Sequence, residues 1–300
     1  MLDATLTLKP IQVKPRNTET LVAAIDTSSI KIGETKNGVL VAIRGANIWK
    51  QNKHYRYIRL GPFIFHITEE NKTEVYNTLQ KAYIKQQSEQ NHQHTPNLTQ
   101  MPTRLATLLE RWLQAAAAKT MRNSLILFDG SLTAGTPDAP ANVMREILGN
   151  AREMENAVLA FSKMTTMRLN GNLITDILSK CTPPYILELA GLRVKPPLIP
   201  FGDIYVARLS KGNYAFRLDI DKELSSQEKI EAVEKLIGND LLSQGYPETL
   251  RLAHILCTFT ANEVIAMQHF IARRYGLKMI NRPDMHRLLF GPFGKGETSA

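Results

Sequence analysis

The sequence predicts an α/β fold: a mixed β-sheet with helices on its faces, followed by an additional C-terminal hairpin and further helices. Three observations carry this expectation. The apolar run Leu21-Val22-Ala23-Ala24-Ile25 leads into the lone carboxylate of Asp26. Leu125-Ile126-Leu127-Phe128 leads into Asp129 in the same way. Amphipathic helical stripes stand between and after these runs, and a continuous apolar run marks a strand buried on both faces.

The elements follow in order. Residues 1–20 are polar, with Pro10 and Pro15, and read as an extended lead-in. After the strand that ends at Asp26, Asn37-Gly38 is a hairpin-turn signal. It introduces alternating residues over 39–48, and a turn at 50–53 introduces a third strand over 54–67. Gly61-Pro62 interrupts that strand, which places it at an edge or at a bulge. Three antiparallel strands thus open the fold. Val75, Leu79, Ala82 and Tyr83 form a helical stripe over 72–87, and Leu105, Leu108, Leu109, Trp112, Leu113 and Ala116 form another over 104–119. The polar linker 88–102 lies between them. The Asp129 strand comes next, then a loop, a helix over 142–156 and a short apolar strand over 157–161 that ends in Ser162-Lys163.

A short helix is expected over 173–180. Five prolines over 183–200 give a rigid irregular connection. A second hairpin spans 204–209 and 214–220. Ser225 and Glu228 make a capping box for a helix to about residue 242. Pro247 suits the first turn of a helix through Leu250, Ala253 and Cys257. A last helix spans 262–275, with Gly276 as its cap. The expected organisation is one domain over 21–276 and a basic tail over 277–300. This element order is the one used by ribonuclease-H-like folds, and order alone does not give function.

Bulk properties narrow the function. The chain has 300 residues, 43% hydrophobic and 22% charged, as a globular protein with a proper core requires. A net charge of +9 favours a polyanionic partner. Two cysteines, Cys181 and Cys257, give neither a disulfide framework nor a zinc-type cluster, and they suit a reducing interior. The start Met1-Leu2-Asp3-Ala4-Thr5 lacks the features of a signal peptide, and no apolar run approaches a membrane span. The expectation is a cytoplasmic protein with no membrane partner. No P-loop, GxGxxG, GxSxG or HExxH motif is present, so those enzyme classes lack their fingerprints.

Chemistry centres on the two strand-end aspartates. If their strands are parallel neighbours, they lie about 5 Å apart and their carboxylates crowd one spot. Such a pair repels and takes up protons unless a cation holds it. Hard divalent ions prefer oxygen ligands. Glu110, on the helix before the Asp129 strand, can lean in as a third donor, or it can pair with Arg104 or Arg111. Three acidic donors around one or two metals fit phosphoryl-transfer hydrolysis. The plainer alternative is that each Asp caps a turn.

Lys163 ends an apolar strand and can touch a phosphate, or it is a solvated terminus. His254 on an apolar helix is otherwise a hydrogen-bonded core histidine, and Tyr246 before Pro247 is otherwise a packing plug. His92-Gln93-His94 reads as solvated, and Asp219-Ile220-Asp221 as a hairpin end.

Together, Ala24-Ile25-Asp26-Thr27-Ser28-Ser29, Leu108-Leu109-Glu110-Arg111, Leu127-Phe128-Asp129-Gly130-Ser131-Leu132 and Ala160-Phe161-Ser162-Lys163 resemble the NurA family of DNA nucleases. The most specific piece is Gly245-Tyr246-Pro247 with Ala253-His254 on the following helix. The family commonly has Gly after the first Asp, where this chain has Thr27. The resemblance implies a ribonuclease-H-like core with Asp26, Glu110 and Asp129 as metal ligands and Tyr246, His254 and Lys163 as further active-site residues. It implies manganese (with magnesium as the alternative), two ions, cleavage of single-stranded DNA and 5′-end resection of duplex DNA. It also implies a homodimer that works with the hexameric HerA translocase in double-strand-break repair. Two other readings stay open: a catalytically inactive DNA-binding or partner-docking paralogue, and an actin- or hexokinase-like phosphotransferase.

Overall fold

Among the described residues, nine strands hydrogen-bond into one mixed sheet. The computed structural model describes residues 10–84, 95–169, 171–177, 181–189, 196–212 and 214–280. The strands are β1 (Pro10–Gln12), β2 (Leu21–Glu34), β3 (Gly38–Gln51), β4 (His54–Thr68), β5 (Ser124–Asp129), β6 (Ala157–Ser162), β7 (Tyr185–Glu188), β8 (Gly202–Arg208) and β9 (Phe216–Asp221). Across the sheet they run β1-β7-β8-β9-β6-β5-β2-β3-β4. The pairs β2–β5 and β5–β6 are parallel, and the others are antiparallel.

Among the described residues, six helices cover the two faces: α1 (Lys72–Ile84), α2 (Met101–Thr120), α3 (Ala141–Glu153), α4 (Ser226–Asn239), α5 (Glu248–Cys257) and α6 (Ala261–Tyr275). The alternation of strand side chains sorts the core into two layers. Ile25, Val41, Ile43, Ile126 and Phe128 face α1, α2 and α3. Ala24, Leu125, Leu127, Leu159 and Phe161 face α4 and α5. In α2, Leu105, Leu108, Leu109 and Leu113 recur at helical spacing and are all buried. Full burial of one such side chain contributes about 1.5–3 kcal/mol.

Several expectations change. Asp26 does not end its strand, because β2 runs on to Glu34. The hairpin partner β3 pairs with β2 beyond Asp26 and satisfies the backbone there, so Thr27-Ser28-Ser29 is strand rather than turn. The Gly61-Pro62 strand does lie at the sheet edge, and its register with β3 shifts between Ile43 and Gly45. The proline-rich connection 183–200 contains β7, whose Tyr185, Ile186 and Leu187 are buried between β1 and β8. The lead-in supplies β1 and then lies on α4, where Arg16 N–H donates to the Glu234 carbonyl at 2.9 Å.

The short helix expected over 173–180 is one 3-10 turn, Ile174–Asp176, among the described residues. Asp219 lies inside β9, and Asp221 ends the strand opposite Gly202, at a hairpin end as expected. The capping box at Ser225 and Glu228 forms as expected. His92-Gln93-His94, the linker up to residue 94 and nearly all of the tail lie outside the described residues.

By composition, Glu248–Tyr275 qualifies as a membrane span, with a mean hydropathy of 1.2 over an 18-residue window, which qualifies the earlier expectation. The chain breaks it at Thr258, Phe259 and Thr260 into α5 and α6, of 10 and 15 residues. Each is shorter than the ~20 residues that cross a bilayer.

Two buried cations on β3 fix α5 at its ends. Arg44 Nη1 donates to the carbonyl of Thr258, the residue that closes α5, at 3.2 Å. The same guanidinium forks onto Glu263 at 2.8 and 3.3 Å and lies 4.3 Å from the centre of the Phe259 ring. Lys50 Nζ donates to the Asn239 carbonyl and stands 3.7 Å from the Asp240 carboxylate. Asp240 Oδ2 accepts from Thr249 N–H at 3.1 Å, in the first turn of α5. A buried cation that loses its partner is costly, so these links are cooperative.

Arg44 hydrogen bonding holds the Glu263 carboxyl down at about 2, from an ordinary 4.5. A depressed carboxyl contributes its stability in full above its unfolded value and loses it as the pH falls through the folded value. Glu263 is partly open to solvent, so screening limits the effect. Glu263→Gln is expected to lower stability by about 1 kcal/mol at neutral pH. In urea unfolding, the difference from the parent chain should persist down to about pH 5 and shrink steadily toward about pH 2.

Candidate active site

The parallel register of β2 and β5 runs from Leu21 opposite Ser124 to Ile25 opposite Phe128. Asp26 and Asp129 come next on each strand. They share parity with Ala24 and Leu127, so both point to the face that α5 covers. There β5 ends while β2 continues, and the neighbouring β6 ends at Ser162. Gly130 turns the chain away with a φ of 99°, a conformation glycine adopts without strain, and a Cβ there would meet open space. Ser162 Oγ donates to the Gly130 carbonyl at 2.7 Å and pins this turn.

Each carboxylate has its own partners. Asp26 Oδ1 accepts from Thr27 N–H at 2.7 Å, and Asp26 Oδ2 lies 2.8 Å from His254 Nδ1. Tyr246 Oη donates to Asp129 Oδ1 at 3.3 Å, and Lys163 Nζ lies 2.8 Å from Asp129 Oδ2. The Tyr246 ring packs edge-on against Phe161 and Phe216, with centroids at 6.1 and 5.2 Å. That packing aims the hydroxyl at the site.

Glu110 reaches in from α2, on the opposite face of the sheet. Its Oε1 accepts from the buried Gln114 at 2.8 Å. Arg104 goes instead to Asp138 and Arg111 to Gln114, so the surface ion pair the sequence allowed for Glu110 does not form. Asp26, Glu110, Asp129 and Lys163 line one open cleft of about 520 Å³. Tyr246 and His254 reach the two aspartates from the α5 side.

The cleft is short of positive charge. Burial pushes the Glu110 carboxyl up to about 7, and the nearby Asp26 and Asp129 carboxylates add to the rise. Burial and Asp129 also raise Asp26, against the opposing pull of His254 and Lys163. Burial keeps the Tyr246 hydroxyl protonated well past the ordinary range, so it acts as a donor. Two carboxyls raised together at one cleft, both oxygen donors, suit a divalent cation.

Sequence reasoning missed two residues here. Arg217 on β9 is buried, pairs with Ser162 across the sheet and lines the cleft. Its Nε and Nη2 fork onto Asp219, each at 2.7 Å, and Asp219 also accepts from Leu132 N–H at 3.0 Å. Among the described residues, Nη1 of Arg217 has no partner. The signal was available: charged residues at every second position of a strand whose other residues are apolar. The second is Cys257, one turn beyond His254 on α5. Ligand atoms of Asp26, His254 and Cys257 lie within 4.8 Å of one another.

A carboxyl raised in the fold contributes stability in full below its unfolded value and loses it as the pH rises through the folded value. For Glu110 that window runs from 4.5 to about 7. With metal removed by EDTA, Glu110→Gln is expected to be more stable than the parent at pH 8, by about 1–3 kcal/mol. Thermal unfolding of the two chains should converge near pH 4.5, the carboxyl's ordinary value.

Comparison with known proteins bears on the fold and the family. The crystal structure of the NurA nuclease from Sulfolobus solfataricus superposes with a TM-score of 0.50 at 17% identity, covering 88% of each chain. A structure of NurA bound to dAMP and manganese gives a TM-score of 0.51 at 10% identity, covering 92% of this chain and 91% of that one. At such identities the likeness concerns the fold, which is the ribonuclease-H-like mixed sheet the sequence suggested. No curated protein matches by sequence. The family model of the NurA domain matches residues 20–256, from the residue before β2 to the last turn of α5, and the chain therefore belongs to the NurA family.

Proposed function

We propose that this NurA-family nuclease hydrolyses DNA phosphodiesters with divalent metal held by Asp26, Glu110 and Asp129. The observation that carries the reading is the convergence of three carboxylates and two cationic side chains, Lys163 and Arg217, on one open cleft. Manganese is the first choice of metal, because a similar fold was solved with manganese and dAMP. Magnesium is the alternative, and a pair of ions follows the family resemblance. The bound metal would supply an activated water and offset the charge that develops on phosphate.

The chain's own residues have separable roles. Lys163 and the free Nη1 arm of Arg217 take the non-bridging phosphate oxygens and set the backbone's register. Asp219 holds the Arg217 fork in place. The Tyr246 hydroxyl steadies one oxygen of Asp129. The His254 Nδ1 contact with Asp26 fixes the ring, and the opposite ring nitrogen is left to exchange a proton with solvent or the leaving oxygen. The net charge of +9 favours DNA at longer range.

The finer reading follows the family resemblance: endonuclease action on single strands and 5′–3′ exonuclease action on duplex ends, in a cytoplasmic homodimer that resects DNA ends for double-strand-break repair beside a HerA-type hexameric ATPase. The phosphotransferase reading needs a glycine-rich phosphate turn after Asp26, and β2 continues as strand there. The inactive-paralogue reading predicts DNA retention without cleavage.

End-labelled linear DNA and closed-circular DNA, incubated with the purified chain under Mn²⁺, Mg²⁺ or EDTA, test the proposal. Cleavage under Mn²⁺ should disappear with EDTA. Asp129→Asn should lose at least about 100-fold in rate with the fold intact by circular dichroism. A fully active Asp129→Asn chain would sink the assignment.

A further inference from the structure

We propose that Asp26, His254 and Cys257 form a site for a thiophilic divalent ion, zinc above all, and that its occupation shuts the nuclease cleft. The donor atoms are already gathered: a carboxylate oxygen, an imidazole nitrogen and a sulfur within 4.8 Å of one another. His254 and Cys257 stand three residues apart on α5, which puts both on one side of the helix, and Asp26 faces them from β2. Helix α5 is clamped at both ends by Lys50 and Arg44, so this spacing is built into the fold.

The chemistry of the donors chooses the ion. Zinc takes tetrahedral sites built from Cys, His and carboxylate, and with three protein ligands it keeps a water in the fourth position. Thiolate selects zinc over manganese and magnesium, and imidazole reinforces the choice. The carboxylate set of the cleft, by contrast, is all oxygen and suits hard ions. The two sets share Asp26. An ion on the sulfur side ties up Asp26 Oδ2 and the His254 ring, opens the 2.8 Å contact between them, and releases the Cys257 thiol proton to solvent. Binding depends on these three residues alone, whereas the inhibition rests on the nuclease reading.

Cobalt(II) is the probe, because a thiolate ligand gives it a strong near-ultraviolet charge-transfer band. In Cys181→Ser, Cys257 is the one remaining thiol of the chain's two, so a band there has a single source. We expect one equivalent of cobalt to give the band in the parent chain and in Cys181→Ser, and zinc to displace it. Cys257→Ser should lose the band and weaken zinc binding by about 100-fold. In the DNA assay, zinc should inhibit Mn²⁺-dependent cleavage, and Cys257→Ser should need correspondingly more zinc. Absence of the band in Cys181→Ser, or its survival in Cys257→Ser, overturns the site. A band in a chain that cleaves no DNA under any metal supports the site and counts against the nuclease reading instead.

Discussion

The parallel register between β2 and β5 is the constraint on which the rest of the site depends. It sets Ile25 opposite Phe128, so the next residue on each strand is a carboxylate on the same face. A slip of one residue would send one of the two to the α2 side, because side chains alternate along a strand. The register is held by buried apolar residues on both faces, Ile25 and Phe128 toward α2, Ala24 and Leu127 toward α5. The site therefore inherits its geometry from the core. The difference in strand length then opens the cleft: β5 stops at Asp129 while β2 runs on under the protection of β3.

The second level of organisation is the placing of α5. Its His254 and the preceding Tyr246 reach the aspartates from the C-terminal part of the chain, more than a hundred residues from Asp129 in sequence. Two buried cations of β3 hold the helix ends, and Arg44 also locks the start of α6 through Glu263. Precision at the site thus comes from charges outside it. Within the cleft the balance is reversed. Glu110 and Asp26 are raised by burial and by neighbouring carboxylates, which Arg111 and Gln114 offset in part at Glu110, and His254 and Lys163 at Asp26. Charge of this kind lowers stability in exchange for a place where a cation is welcome.

The carboxylates were legible in the sequence because each stood out from its local pattern. Asp26 and Asp129 end apolar runs, and Glu110 interrupts the edge of an apolar stripe. Tyr246 and His254 stood out through the family resemblance of Gly245-Tyr246-Pro247 and Ala253-His254, since each alone reads as a core residue. The hairpin of β2 and β3 and the edge position of β4 followed from Asn37-Gly38 and Gly61-Pro62. What the sequence hid depended on distant partners. The continuation of β2 past Asp26 needs β3 beside it. β7 is short and framed by prolines, and it becomes a strand because β1 and β8 pair with it. Arg217 is one basic position within the second hairpin, and its meaning lies in Asp219 and the neighbouring Ser162. Cys257 read as one more apolar helix position, and its sulfur gains chemical interest through Asp26.

Binding of manganese, followed by the electron paramagnetic resonance of the free ion, tests the central claim most directly, since it needs no substrate. The account predicts that the purified chain removes the free Mn²⁺ signal at about one to two ions per molecule, that EDTA restores it, and that exchanging Asp26, Glu110 and Asp129 together for their amides abolishes the uptake in a chain that still folds. An undiminished free-ion signal with the parent chain, or equal uptake by the triple amide variant, would contradict it.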